Sequence, residues 1–247
     1  MTQSFEKDSG VLFVVTGEHW TWAATEAARS VAASNPWLKI GIFTDQPEVA
    51  PLFHFVGRIL PGESRRKHEY VVRSPFARTL YLDSDTRVTS DLADMFRLLD
   101  RFDVAGVQVR YRSSPRRLGR HTVEVPQAFP QINCGVLLYR KCPATDALFR
   151  LWIELYREGG FTRDQIPFRE ALWRSDARFY ALAPEYNTRN VPLLPRKGPL
   201  PLILHINWLH SPSPTRRRIA NLLLMPVRRR LRHFQRFGHR PVRPAPR

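Results

Sequence analysis

Residues 74–92 read Ser74-Pro-Phe-Ala-Arg-Thr-Leu-Tyr-Leu-Asp83-Ser84-Asp85-Thr-Arg-Val-Thr-Ser90-Asp-Leu92. Pro75 punctuates the chain, and Thr79 to Asp83 reads as a short apolar strand that runs out into two carboxylates spaced i, i+2. Ser90 then offers an N-cap to a helix over 90–100. A strand followed at once by a helix is the unit of an open α/β sheet, and such sheets bind ligands at the carboxyl ends of their strands. Asp83 and Asp85 are therefore the first candidates for a site, two hard oxygen donors able to share a divalent cation with a diphosphate. Taken alone the motif is weak. With eleven Asp in the chain, chance supplies roughly half an Asp-x-Asp, and a solvated turn is the plain alternative.

The flanking sequence supplies context. Upstream, Val11 to Gly17 reads as a buried strand, 19–33 as an Ala-rich helix, Leu38 to Asp45 as a second strand, 56–60 as a short third and 64–74 as a helix. Downstream come a strand over 104–109, an Arg-rich loop over 111–128, a strand over 132–139, helices over 144–158 and from Asp164 to about 175, and strands over 178–183 and 200–206. This alternation predicts an α/β fold with a mainly parallel central sheet flanked by helices. No linker breaks it before about residue 211, so one domain over 1–210 and a tail over 211–247 are expected.

The chain has 247 residues, 43% hydrophobic and 25% charged, an ordinary globular composition. No apolar run reaches the ~18–20 residues of a membrane span. The polar, acidic start is unlike a secretory leader, and two cysteines, Cys134 and Cys142, exclude a disulfide scaffold or a Cys-rich zinc module. A cytoplasmic location is the expectation. The net charge of +17 is concentrated at one end, because residues 211–247 hold eleven Arg and no Asp, Glu or Lys.

Five segments, in order, resemble the nucleotide-diphospho-sugar glycosyltransferases of the GT-A fold, closest to the family 8-like group of glycogenin and the lipopolysaccharide galactosyltransferases. Leu80-Tyr-Leu-Asp-Ser-Asp85 resembles the metal-binding segment of that group. Gln131-Ile-Asn-Cys-Gly-Val-Leu-Leu138 resembles its Asn-Ser-Gly-Val, Asp164-Gln165 its Asp-Gln, Glu185-Tyr-Asn187 its Tyr/Trp-Asn, and His205 its late metal-binding histidine. Each is unspecific alone; together they are hard to obtain by chance. The resemblance implies Mn²⁺ or Mg²⁺ held by Asp83, Asp85 and His205, with Asp83 also reaching the ribose and Ser84 beside the nucleotide. Thr16 and Asp45 would meet base and ribose, and Lys67, or its neighbours Arg65 and Arg66, a phosphate. Asn133, Asp164 and Gln165 would border the donor sugar and the reacting carbon. The group retains anomeric configuration; an inverting enzyme would need a base, for which Asp164 is the candidate. Cys134 stands where the group has Ser. The segment His205-Ile-Asn-Trp-Leu-His210 lacks the Gly and Lys that follow the group's histidine, and His210 competes with His205 as third ligand.

The implied activity is sugar transfer from a nucleotide diphosphate sugar to a hydroxyl acceptor, such as a glycan or a lipid-linked glycan. A nucleotidyltransferase on a similar sheet and a non-catalytic binding protein on a degenerate transferase fold are the alternatives. Within 216–237, Ile219, Leu223, Val227, Leu231 and Phe234 recur at helical spacing among arginines. That basic amphipathic pattern suits an anionic membrane surface, which would place the protein peripherally on the inner membrane face. Nucleic acid is the weaker reading, since only Phe234 and Phe237 could stack and no recognised module is present.

Overall fold

Val11 and Phe13 face one side of their strand, Leu12 and Val14 the other, and all four are buried. A strand packed on both faces belongs at the middle of a three-layer structure, and its unbroken apolar run follows from that. The computed structural model describes residues 8–63, 66–109, 122–161, 163–189, 200–206, 209–222 and 224–225. Within them the chain builds β1 (Ser9–Val14), α1 (Glu18–Ser34), β2 (Lys39–Thr44), β3 (Phe55–Arg58), α2 (His68–Val71), β4 (Arg78–Leu82) and β5 (Thr86–Val88). There follow α3 (Ala93–Arg97), β6 (Val104–Gln108), β7 (Ile132–Arg140), α4 (Pro143–Glu158), α5 (Gln165–Arg174), β8 (Phe179–Leu182) and β9 (Ile203–His205). Helical residues 214–222 and 224–225 close the described chain.

Seven strands form one sheet in the order β3-β2-β1-β4-β7-β6-β8. Only β7 runs against its neighbours β4 and β6; the other pairings in this sheet are parallel. The expected mainly parallel α/β sheet is what the chain forms. One core packs α1, through Ala24, Ala27, Ala28 and Val31, and α3, through Met95 and Phe96, onto Val11, Phe13, Ile40 and Leu80. The other packs α4, through Phe149 and Trp152, and α5, through Phe168 and Ala171, onto Leu12, Val14, Tyr81 and Tyr139. The side-chain period of two sorts each strand between the two layers.

Three elements differ from the sequence expectation. The helix expected over 64–74 is described only as the single turn of α2. The helix expected from Ser90 begins at Ala93, with Leu92 at the cap position. The buried Asn35 explains the delay: its amide donates to the Ser90 carbonyl at 3.0 Å and accepts the Leu92 N–H at 2.7 Å, holding 90–92 out of the helix. Finally, 86–88, to which the sequence reading assigned no element, is a strand. β5 pairs antiparallel with β9, setting Thr86 opposite His205.

Candidate metal centre

The sheet order turns back between β1 and β4, and the crevice at that point lies beyond their carboxyl ends. Asp83 follows directly on β4, Asp85 precedes β5, and the β5–β9 ladder brings His205 across to them. His205 Nε2 lies 3.1 Å from Asp85 Oδ1 and 3.7 Å from Asp83 Oδ2. One ligand atom from each of the three falls within 4.8 Å of the others.

A chain of hydrogen bonds fixes the histidine. The Gly135 N–H donates to Asn133 Oδ1 at 3.0 Å, so that oxygen is an acceptor, and the Asn187 amide donates to it at 3.2 Å. Asn187 Oδ1 therefore faces His205 Nδ1, 2.9 Å away, and Nδ1 carries the proton. Nε2 is left facing the two carboxylates, an arrangement that a proton or a divalent cation would satisfy. A hydrogen-bonded outer nitrogen is the usual support of a metal-binding imidazole. Gly135 keeps the space open: a Cβ there would come within 2.4 Å of both Asp83 Oδ2 and His205 Cε1. Two carboxylates and one imidazole suit Mn²⁺, with Mg²⁺ the harder alternative.

Lys67 sits on the other side of Asp83. Its Nζ donates to Asp83 Oδ1 at 2.9 Å and pairs with Asp164 Oδ2 at 3.1 Å, with the Tyr81 ring beside it. Tyr81, which the sequence did not single out, donates its hydroxyl to the same Asp83 oxygen at 2.7 Å. Burial by itself lowers the Lys67 pKa, but Asp164 and Asp83 more than reverse this and hold the ammonium well above its ordinary value. Burial likewise raises the Asp83 carboxyl, and Lys67 and His205 outweigh it, so Asp83 stays below the usual carboxylate range.

The remaining candidates fall into place unevenly. Thr16 is half-buried at the β1 exit. Asp45 turns back on the protein, accepting the Gly17 N–H at 2.7 Å and the Gln46 amide at 2.9 Å; Gly17, with φ +84°, makes the turn into α1. Ser84 accepts a hydrogen bond from His210 Nδ1 through its carbonyl at 2.7 Å, and among the described residues the group of converging ligand atoms contains His205 and not His210. Asn133 is buried in the hydrogen-bond chain, and Asp164 and Gln165 stand at the start of α5. Arg66 packs its guanidinium over the Tyr156 ring, and Arg65 lies outside the described residues. Burial pushes the Cys134 thiol well up, consistent with packing rather than nucleophilic work. Farther along α5, buried Arg169 and Glu170 tie down the end of the Arg-rich loop, bonding the carbonyls of Phe129 and Pro126 and the Thr122 N–H. Residues 111–121 of that loop lie outside the described residues, as does the tail beyond 225.

By sequence, the chain matches no known family profile and no curated protein. By structure it is similar to solved glycosyltransferases. A galactosyltransferase, LgtC, solved in complex with donor and acceptor sugar analogs, superposes with a TM-score of 0.57 at 14% identity, covering 87% of this chain and 95% of that one. The glycosyltransferase GlyE of Streptococcus pneumoniae, in its apo form, gives 0.58 at 18% identity, covering 94% of this chain and 64% of GlyE. The bifunctional WbbM gives 0.57 at 12%, covering 90% of this chain and 52% of WbbM. The chain shares the fold of these glycosyltransferases, the fold that the ordered motifs implied.

Proposed function

We propose that this protein transfers a sugar from a nucleotide diphosphate sugar to a hydroxyl acceptor, with Asp83, Asp85 and His205 holding Mn²⁺ or Mg²⁺. The observation that carries the reading is the convergence of His205 Nε2 with the carboxylates of Asp83 and Asp85 at the switch point of a glycosyltransferase-like sheet. A divalent ion held by these three residues would supply Lewis-acid stabilisation of the departing diphosphate. The Lys67 ammonium, held between Asp83 and Asp164, adds fixed positive charge where that negative charge develops. Asn133, Asp164 and Gln165 border the reacting carbon as it becomes oxocarbenium-like. Retention follows the resemblance; with inversion, Asp164 would take the acceptor proton. Thr16, Asp45 and Ser84 would meet the nucleoside.

The C-terminal helix supports a second element of the reading, a peripheral seat on an anionic membrane beside a glycan or lipid-linked acceptor. Its Ala220 and Leu224 are buried, while Ile219, Leu222 and Met225 are exposed beside Arg216, Arg217 and Arg218. Among the described residues no helix is long and apolar enough to cross a membrane. The protein would then work at the inner face of a cytoplasmic membrane.

The test is nucleotide release from a panel of UDP-, GDP- and other nucleotide sugars, with Mn²⁺ or EDTA, on wild type and Asp85→Ala. Release of a nucleoside diphosphate from one donor, lost with EDTA and with the substitution, supports transfer. No nucleoside diphosphate from any donor, but pyrophosphate released from a nucleoside triphosphate supplied with a sugar 1-phosphate, would instead indicate a nucleotidyltransferase. Neither release nor donor-induced thermal stabilisation would indicate a non-catalytic binding protein.

A further inference from the structure

Every peptide carbonyl of the Asp83-Ser84-Asp85 turn is engaged. The Thr86 hydroxyl donates to the Asp83 carbonyl at 2.7 Å, His210 Nδ1 to the Ser84 carbonyl at 2.7 Å, and the Ile206 N–H to the Asp85 carbonyl at 3.0 Å. The first and third bonds belong to the β5–β9 region. The middle one comes from a side chain beyond it. A carbonyl can only accept, so His210 Nδ1 holds a proton.

His210 is itself fixed from three directions. Its carbonyl accepts from His19 Nε2 at 2.8 Å, its ring stands edge-on to Trp22 with centroids 5.8 Å apart, and its neighbour Leu209 packs with Leu204 and Leu224. Only 6% of the residue is exposed. The side chain that grips the turn is thus seated against α1, and its neighbour Leu209 against the C-terminal helix.

Asp83 and Asp85 carry like charges on one short turn, and in a bare turn the Ser84–Asp85 peptide could rotate to part them. Pinning the Ser84 carbonyl fixes that peptide plane and, with it, the direction in which the Asp85 carboxylate leaves the backbone. We infer that His210 is a positioning residue for the metal turn, acting through the Ser84 carbonyl rather than as a ligand. The inference rests on the metal reading of Asp83, Asp85 and His205.

The test uses the full chain, with Mn²⁺ itself as the probe, followed by the paramagnetic signal of free Mn²⁺. A parallel measurement follows amide hydrogen exchange over 83–88 in metal-free protein. His210→Phe keeps a buried ring and loses the donor; His210→Leu serves if the phenyl ring cannot be accommodated. His210→Asn restores an amide N–H near the position of Nδ1. Loss of a supporting hydrogen bond of this kind costs about 10–100-fold in metal affinity. The expected result is a loss of that size in the Phe or Leu variant, faster exchange over 83–88, and recovery of affinity to within about threefold in the Asn variant. Wild-type affinity and exchange in the Phe or Leu variant would overturn the inference, while loss of Mn²⁺ binding in Asp85→Ala would leave the metal reading intact. Equal weakening in the Phe and Asn variants would also overturn it, since ring packing and not the donated proton would then be at work. If the wild type binds no Mn²⁺, the metal reading fails and the role of His210 falls with it.

Discussion

Asp164 occupies the cap position of α5 yet makes no side-chain capping bond; its carboxylate goes to Lys67, 3.1 Å away. A capping Asp would stabilise the helix by about 1 kcal/mol. The chain forgoes that locally and links two elements 97 positions apart in sequence, placing an ammonium between Asp164 and Asp83.

Lys67→Met leaves those two carboxylates facing each other without their cation. The expected outcome is a fall of about 100-fold or more in donor turnover, on the scale of losing a preorganised charge at a departing anion. The pair is partly exposed, so the thermal cost is smaller, about 1–2 kcal/mol after allowance for solvent screening. Lys67→Arg should not restore activity, because the planar guanidinium cannot take the same point between two carboxylates and the Tyr81 ring. Steady-state release of nucleotide and a melting curve check both halves.

Gly135→Ala places a methyl group against Asp83 Oδ2 and His205 Cε1. Displacing either removes a ligand from its position, so stabilisation of the protein by millimolar Mn²⁺ should disappear. The metal-free midpoint should fall by no more than an overpacking of about 1–3 kcal/mol. Retained Mn²⁺ stabilisation in this variant would show that the cradle is not where the ion binds.

His68 supplies a pH dependence away from the metal. It is 1% exposed, lies against Trp152 and Tyr156, and its Nε2 has no hydrogen-bond partner. Burial lowers its pKa from 6.5 to about 4. The unfolded chain takes up the proton more readily than the fold, so this contribution is complete above pH 6.5 and is lost as pH falls from 6.5 toward 4. The full difference is about 3 kcal/mol. His68→Phe should flatten the decline in melting temperature over that window; an unchanged slope would refute the assignment.

Asp103 acts in the same direction, over a more acidic range. It binds the side chain of Arg140 on β7 at 2.8 Å, and the backbone and side chain of Arg178 at 2.9–3.1 Å, tying edge strand β8 to the sheet. The hydrogen bonds from Arg178 and Arg140 hold its carboxyl well below the usual range despite burial. Its contribution is present above the ordinary carboxylate range and is lost as pH falls through and below it. Asp103→Asn should destabilise the protein by about 1–3 kcal/mol at neutral pH and reduce its sensitivity to acid below about pH 4.

Leu222 is 60% exposed on the C-terminal helix, so Leu222→Asp should leave the melting temperature within a degree or two. If that face meets lipid, the same change should cut co-sedimentation with anionic vesicles by about tenfold, and neutral vesicles should bind neither protein. Equal partitioning of the variant and the wild type would sink the membrane reading.

The two carboxylates were legible in the sequence because strand, motif and chemistry coincide within 79–85, and His205 because four other segments set its order. Their supports were not. Tyr81 looks like any strand aromatic, since what makes it functional is an alternation that faces it toward Lys67. The link from Lys67 to Asp164 and the link from His210 to Ser84 join residues 97 and 126 positions apart, and no local periodicity encodes them. Residues 86–88 could not be read as a strand because only the partner β9 makes them one. The delayed start of α3 depends on Asn35, more than fifty residues upstream, which overrides a sound local cap at Ser90.

The placement of β7 also bears on how the chain emerges from the ribosome. β4 and β6 are synthesised first but do not touch; each offers an open edge until the strand between them arrives. At translation rates of about 5–20 residues per second, the stretch from Gln108 to Arg140 takes about 2–6 seconds to appear. Unpaired strand edges invite pairing with other chains. Over those seconds the nascent protein depends on whatever shields it, and substitutions that slow entry of β7 should reduce soluble yield in cells more than they lower the melting temperature of the finished molecule.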